Sequence, residues 1–198
     1  EVCLRLLQDE AIARLCTPIV FGSAAVLEQA AVQCCLPKPG KVVAGLSEAA
    51  SPCVLDIGAI GLDDFTTGAV NAATGRAAFT FIEDAINAAL SGQIAAVTTA
   101  PINKVALHAA EIPFPGHTEI FAAKTHALRH CMLQYSSEVR AVFVTTHVSY
   151  AEVPGLLTKA AILDTIELGA QAMRRIRGGA PRIVVLGLNP HAGENGLF

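Results

Sequence analysis

The chain has little charge and no excess of positive charge, which excludes several classes of protein. Only 16% of its 198 residues are charged and 53% are hydrophobic, a balance that excludes a disordered polymer. The formal net charge of −3 provides no basic surface for nucleic acid or for an anionic membrane. We therefore expect neither partner, and any anionic ligand has to be held by local groups.

Several sequence motifs are also missing. No Gly-x-Gly-x-x-Gly follows a strand-like run, so the Rossmann dinucleotide fingerprint is absent. The segment Pro39–Lys41 lacks the spacing of a phosphate-binding loop, and there is no Gly-x-Ser-x-Gly nucleophile elbow. The longest uncharged run, residues 85–103, could cross a bilayer on length alone. Its polar residues and Pro101 favour a helix, a turn and a strand instead.

The six cysteines form no Cys-x-x-Cys pair, although Cys34 and Cys35 are adjacent. Most lie in apolar surroundings, which indicates reduced thiols in a cytoplasmic protein. The first residues do not resemble a secretory leader, so the sequence gives no indication of secretion. Residues 1–7 are already helix-like without a preceding cap, and residues 193–198 stop in a loop. We therefore expect a chain truncated at both ends.

Strand-like and helix-like segments alternate along the chain. This order predicts an α/β fold with parallel strands joined by right-handed crossovers, whose ligands bind at the carboxyl ends of the strands. Strands are predicted over residues 18–22, 41–45, 53–58, 94–98, 139–145 and 182–188. Helices are predicted over residues 2–16, 24–31, about 74–90, 101–110, 118–127 and 158–175. Gly92 is the predicted C′ residue of the third helix, and Thr158 is the predicted cap of the last.

Two histidines directly follow predicted strands and are candidate metal ligands. His147 ends the run 141–147, and His191 follows the strand at 182–188. Neutral imidazoles in such positions bind zinc, cobalt or similar divalent ions, but a third protein ligand is needed. The alternative is that both are ordinary loop histidines.

A second candidate site lies where a helix is predicted to begin after Pro115 and Gly116. The free backbone N–H groups and positive dipole end of a helix favour an anion, and His117 and Thr118 can both donate to it. The alternative is simple capping by Thr118. Lys104 is a candidate catalytic residue that could neutralise a phosphate or transfer a proton; the alternative is a solvated lysine.

Four motifs together resemble the signatures of the 4-hydroxythreonine-4-phosphate dehydrogenase family, which works in pyridoxal phosphate biosynthesis. They are Thr99–Lys104, Phe114–Glu119, Thr145–His147 and Leu188–Glu194. The resemblance implies a two-domain α/β fold of the isocitrate/isopropylmalate dehydrogenase type, with the C-terminal portion absent here. It further implies domains over residues 1–112 and 113–198, both incomplete, and a homodimer.

The resemblance also implies roles for particular residues. His147 and His191 correspond to two metal ligands, and His117 and Thr118 to residues that bind the phosphorylated substrate. The family's third metal histidine lies in a Tyr-His-Asp-Gln-Gly segment beyond Phe198. The implied cofactors are NAD or NADP and a divalent metal (Zn, Mg, Co or Mn); no residue of this sequence is assigned to the nucleotide.

The function expected from the resemblance is NAD-dependent oxidation and decarboxylation of 4-phosphohydroxy-L-threonine in vitamin B6 biosynthesis. A metal chelated by the substrate would acidify its hydroxyl group before hydride transfer. One alternative is a paralogous dehydrogenase of D-threonate or D-erythronate 4-phosphate. Another is a truncated chain that keeps the fold but is catalytically silent.

Overall fold

A computed structural model describes residues 1–197 of the chain. Its architecture is α/β, with two compact units: Glu1–Ala127, and a second that starts at Leu128. The predicted division at residues 112 and 113 concerns the domains of the complete protein and stays a prediction. The last residue of the second predicted domain, 198, lies outside the described residues.

The first unit is built on a three-stranded parallel sheet. Strands β1 (Ile19–Gly22), β2 (Val42–Val43) and β3 (Cys53–Asp56) have the order β1-β3-β2, with Ile19 opposite Cys53 and Val42 opposite Val54. Short strands that are apolar on both faces suit a buried parallel sheet. The cluster of Val43, Cys53 and Leu55 accordingly lies inside the unit, and the three strands and their parallel pairing confirm the prediction.

The helix predicted over residues 2–16 is wrong in one respect, because it is two helices. Helix α1 (Val2–Gln8) ends at Asp9, whose backbone is extended with φ −80° and ψ 108°, and α2 (Glu10–Ala13) follows. The Asp9 carboxylate accepts hydrogen bonds from the N–H groups of Ala11 and Ile12 at 2.8 and 3.2 Å. An aspartate that caps a new helix start competes with continuing the old one.

Helix α3 (Ala24–Gln33) connects β1 to the rest of the sheet, and α4 (Ala72–Leu90) is the longest helix of this unit. The Asn71 side chain caps α4 by accepting from the N–H of Thr74 at 2.9 Å. Just beyond the end of α4, Gly92 has φ +73°, the left-handed conformation predicted for it. Short 3₁₀ turns lie at Leu46–Glu48 and Leu62–Asp64.

Helices α5 (Lys104–Ala109) and α6 (His117–Lys124) both pack on α4. The closest approach is at Gly75, where an added Cβ would lie 2.0 Å from the carbonyl oxygen of Ala106. A second hydrophobic core lies between the three helices. Its buried residues are Ile82, Ile86, Leu107 and Ile120.

The predicted strand at residues 94–98 is wrong, because this stretch is irregular. A strand exists only when its backbone groups pair with a neighbouring strand, and none of residues 1–197 forms a ladder with it. The helix predicted from Pro101 begins later, at Lys104, because the Asn103 side chain caps it by accepting from the N–H of Ala106 at 3.0 Å.

The second unit contains an antiparallel hairpin, which corrects the prediction of parallel pairing. Strand β4 (Met132–Tyr135), which the sequence pattern does not indicate, pairs with β5 (Arg140–Phe143). The connecting turn is closed by Ser136, whose hydroxyl accepts from the N–H of Val139 at 2.9 Å. A link this short cannot make the crossover that parallel strands need.

Two helices follow the hairpin: the short α7 (Val153–Leu156) and α8 (Lys159–Arg177). The cap predicted at Thr158 is confirmed, since its hydroxyl accepts from the N–H of Ala161 at 3.1 Å. Helix α8 packs on β5 through Gly169, whose missing Cβ leaves room for Val142. No helix within residues 1–197 is long and apolar enough to cross a membrane.

The predicted strand at residues 182–188 is also wrong. The segment pairs with no strand of the described chain, and Val184 and Leu186 are 82% and 85% exposed. A short 3₁₀ turn, Glu194–Gly196, follows it. His147 and His191 therefore do not lie at the carboxyl ends of neighbouring parallel strands, because β5 is antiparallel to β4 and the segment before His191 is not a strand.

Candidate functional site

Helix α6 begins without a side-chain cap. Its N-cap residue is Gly116, which is extended (φ −177°, ψ −175°) and has no side chain with which to accept a hydrogen bond. The first backbone bond of the helix runs from the N–H of Ile120 to the carbonyl of Gly116 at 3.2 Å. The capping role considered for Thr118 does not apply, since Thr118 is already the second helical residue. An uncapped helix start carries the partial positive charge that attracts an anion.

His117 is the first residue of α6 and is partly buried. Its Nε2 atom is buried and has no hydrogen-bond partner among residues 1–197. Burial lowers the pKa of the imidazole from its ordinary 6.5, and a hydrogen bond with the backbone of Ala100 raises the pKa by less. A ring that is neutral at pH 7 thus presents a buried polar nitrogen at the positive end of a helix.

The Ala100 backbone, which affects the pKa of His117, belongs to another of the sequence motifs. Ala100 belongs to Thr99–Lys104, and His117 belongs to Phe114–Glu119. The structure therefore brings these two motifs together in the first unit, although the sequence pattern does not indicate this particular contact.

Lys104 is the first residue of α5 and is exposed. A cation in the first turn of a helix is disfavoured by the helix dipole, so its position does not stabilise α5. The position suits a lysine that meets an anionic ligand. Lys104 comes four residues after Ala100 in the same motif. Its ammonium forms no ion pair with another residue among 1–197.

The two candidate metal ligands lie in the second unit. His147 has a left-handed backbone (φ +57°) in the loop after β5. His191 lies in a turn, where its N–H donates to the side-chain oxygen of Asn189 at 2.9 Å and its Nδ1 lies 2.5 Å from Glu194 Oε1. A carboxylate on one ring nitrogen orients an imidazole and fixes its tautomer, as is common for metal ligands.

Glu194 is a residue that the sequence reasoning missed. It lies three residues after His191, and a run of residues with positive φ folds the chain back so that its carboxylate reaches the ring. Such backbone angles are uncommon for residues other than glycine. The run comprises Ala192 (φ +50°), Gly193 (+86°), Glu194 (+37°), Asn195 (+59°) and Gly196 (+93°).

These donors do not complete a metal site by themselves. Residues 1–197 contain no group of three or more His, Cys, Asp or Glu side chains arranged to hold a metal ion. Zinc in catalytic sites takes three protein ligands, one more than these two histidines could supply.

Comparison with known proteins identifies the family of this chain. The model of the family "Pyridoxal phosphate biosynthetic protein PdxA" matches residues 14–198. The chain belongs to the PdxA family. One curated relative, the 4-hydroxythreonine-4-phosphate dehydrogenase of Desulfosudis oleivorans, is 38% identical over 100% of this chain and 60% of its own length.

Other members of the family carry a different substrate in their names. The D-threonate 4-phosphate dehydrogenase of Cupriavidus necator is 36% identical, again over 100% of this chain and 60% of its own length. Among solved structures, the 4-hydroxythreonine-4-phosphate dehydrogenase of Klebsiella pneumoniae is 34% identical with a TM-score of 0.84, over 100% of this chain and 61% of that one. The chain spans about 60% of the length of the curated relatives it matches.

Proposed function

We propose that this chain carries part of the active site of a nicotinamide-dependent dehydrogenase that oxidises and decarboxylates 4-phosphohydroxy-L-threonine in vitamin B6 biosynthesis. Membership of a family of dehydrogenases supports the reaction class. The proposal includes a two-domain fold of the isocitrate/isopropylmalate dehydrogenase type, divided near residues 112 and 113. It also includes a cytoplasmic homodimer that uses NAD or NADP.

One observation carries the proposal for this chain's own residues. His117 offers a buried nitrogen without a partner among residues 1–197, at a helix start that no side chain caps. Both features suit the phosphate of the substrate, which would accept hydrogen bonds from backbone N–H groups and from the hydroxyl of Thr118. The dianion would also draw a proton onto His117, because a neighbouring negative charge favours the imidazolium.

Lys104 is proposed to meet the anionic substrate from the start of α5. Its ammonium can neutralise the phosphate or a carboxylate, or donate a proton to the reacting centre. The nearness of the Ala100 backbone to His117 supports this role, because Ala100 and Lys104 belong to the same motif.

His147 and His191 are proposed as two ligands of a divalent metal (Zn, Mg, Co or Mn). Glu194 holds the ring of His191 in a fixed orientation for this purpose. The proposal places the third ligand in the Tyr-His-Asp-Gln-Gly segment that the family resemblance implies beyond Phe198. When bound, such an ion would acidify the hydroxyl group of the substrate.

A second candidate substrate is D-threonate 4-phosphate, or its relative D-erythronate 4-phosphate. The Cupriavidus necator relative favours it, since that protein is named for D-threonate 4-phosphate and is nearly as similar as the first relative. All three candidates share a phosphate at one end of a four-carbon hydroxy acid. The phosphate-binding role of His117 is therefore the same for each.

The proposal is tested by steady-state oxidation of the three substrates by the complete protein, with NAD or NADP and each metal. We expect one phosphorylated substrate to be oxidised with nucleotide reduction. Oxidation of none of them would overturn the proposal. The same assay on the 198-residue chain decides whether this chain is catalytically silent.

A further inference from the structure

One face of α4 contacts the segment Phe114–Lys124, which contains α6 and the residues just before it. Phe79, Ile82, Glu83 and Ile86 recur at helical spacing and so share one face. Ile82 and Ile86 are 7% and 1% exposed and pack with Ile120, the fully buried residue in the middle of α6. This face is therefore the support on which α6 lies.

The chain just before α6 is fixed to this face by an aromatic pair. The rings of Phe114 and Phe79 are stacked, with centroids 5.9 Å apart and planes inclined by 14°. Such a pair adds to the burial of the two rings. Phe114 lies three residues before His117, so the stack holds the approach to the helix start.

The last residue of α6 is fixed to the same turn of α4. The Lys124 ammonium forms an ion pair with Glu83 and lies 5.1 Å from the centroid of the Phe79 ring. The Lys124 and Glu83 side chains are only 32% and 36% exposed, so water screens this pair less than an exposed one. Along the chain, His117 and Thr118 come after the stacked Phe114 and before the ion-paired Lys124.

We propose that Glu83 and Lys124, acting with Phe79, are positioning residues that hold the start of α6 in its phosphate-binding orientation. This rests on the proposed function of His117 and Thr118. The pair touches no substrate. It acts because phosphate binding at a helix start depends on several N–H groups pointing at one place, and a shift of the helix axis misdirects all of them together.

The experiment measures binding of inorganic phosphate to the complete protein and the kinetics of its phosphorylated substrate. Glu83→Gln and Lys124→Met each remove one charge, and methionine keeps an apolar stem beside Phe79. We expect each to weaken phosphate binding and to raise KM by about fivefold to tenfold, a loss on the scale of one partly buried ion pair. The value of kcat should change less, because the phosphate contact binds the ground state and the transition state equally. Losing such a contact raises KM without removing an interaction made only in the transition state.

The chain offers a matched control in the ion pair of Glu28 and Lys38, which are 49% and 64% exposed and belong to neither α4 nor α6. Glu28→Gln and Lys38→Met should leave phosphate binding and KM unchanged. Lys124→Arg keeps the charge and should restore binding to within about twofold of wild type. Thermal unfolding of each variant shows whether the fold is retained.

The outcomes separate the two proposals. Phosphate binding that depends on His117 but not on Glu83 or Lys124 would overturn the positioning role alone. The positioning role would also be overturned if the control pair weakened binding equally, or if Lys124→Arg did not restore it. Two results would overturn the proposed function and the positioning role with it. One is that the wild-type protein binds no phosphate, and the other is that the His117→Ala variant binds phosphate as tightly as the wild type.

Discussion

The two units of this chain differ sharply in how much of their apolar sequence is buried. Among residues 1–197, the buried hydrophobic residues lie in Glu1–Ala127 with the single exception of Ala170. In the second unit, the apolar segment 182–188 is largely exposed, with Leu186 at 85%. The first unit thus has hydrophobic cores of its own. The substrate-binding candidates His117 and Thr118 belong to α6, which contributes Ile120 to one of these cores.

The difference shows that an apolar run is not by itself a core. Ile120 and Leu186 are comparable in size and hydrophobicity, yet the first is 0% exposed and the second 85%. Ile120 is on a helix, which satisfies its own backbone hydrogen bonds and needs only a surface to pack on. Leu186 lies in a strand-like run, which needs a neighbouring strand before its side chains can be buried.

The largest expected effect is on stability, from truncating a side chain in each unit. Ile120→Ala should destabilise the chain by about 4 kcal/mol, because it leaves a cavity in the core between α4, α5 and α6. Leu186→Ala should change stability by less than about 0.5 kcal/mol, since the side chain is already in water. Denaturant unfolding measures both, and equal effects would remove the distinction between the units.

Glycines give the next largest effect. Gly75→Ala should cost about 3 kcal/mol, because the new Cβ would lie 2.0 Å from the Ala106 carbonyl oxygen and the backbone of α5 would have to move. Gly169→Ala in the second unit should cost about 1 kcal/mol, because its closest contact, at 3.1 Å, is the side chain of Val142.

Gly155 is the matched control for these two variants. A Cβ added there meets nothing within 4 Å, so Gly155→Ala should not destabilise the chain. Unfolding curves should rank the three substitutions in this order. A Gly75→Ala variant as stable as Gly155→Ala would show that α5 does not approach α4 as closely as described.

A smaller effect concerns pH and the first unit alone. Burial lowers the pKa of His117 below 6.5 in the folded chain, so between that lowered value and 6.5 the unfolded state binds more protons. The contribution of His117 to the free energy of unfolding is therefore fully present above about pH 6.5. It is lost as the pH falls through the lowered pKa. His117→Gln should flatten this part of the profile.

Denaturant unfolding at several pH values tests this directly, and NMR titration of the His117 ring gives its pKa. Inorganic phosphate should raise that pKa, because the anion favours the imidazolium. A His117 that titrates at or above 6.5 without phosphate would contradict the buried position described for it.

Local sequence predicts the elements that depend on few partners. The three parallel strands of the first unit, the helix ending before Gly92 and the Thr158 cap follow from apolar runs, glycine and capping chemistry. The failures at residues 94–98 and 182–188 share one cause, because pairing partners are not encoded in the strand itself. The break at Asp9 could have been predicted from the sequence, since Asp followed by Glu-Ala is a helix-start signal.

The candidate site was predictable as a set of motifs but not as an arrangement. The sequence indicates that a helix begins at about His117, and the structure agrees. It does not indicate the Ala100 contact or the ion pair of Glu83 and Lys124, because each joins residues that are far apart in the chain and follow no periodic pattern. The carboxylate of Glu194 on His191 depends on a run of left-handed residues that composition does not reveal.

The central claim assigns substrate phosphate binding to the first unit and metal ligation to the second. Steady-state kinetics of the complete protein, comparing His117→Ala with His147→Ala on the preferred phosphorylated substrate, tests it most directly. We expect His117→Ala mainly to raise KM, and His147→Ala to abolish metal-dependent turnover while leaving phosphate binding intact. A His117→Ala enzyme with unchanged KM, or a His147→Ala enzyme with undiminished turnover, would contradict this assignment.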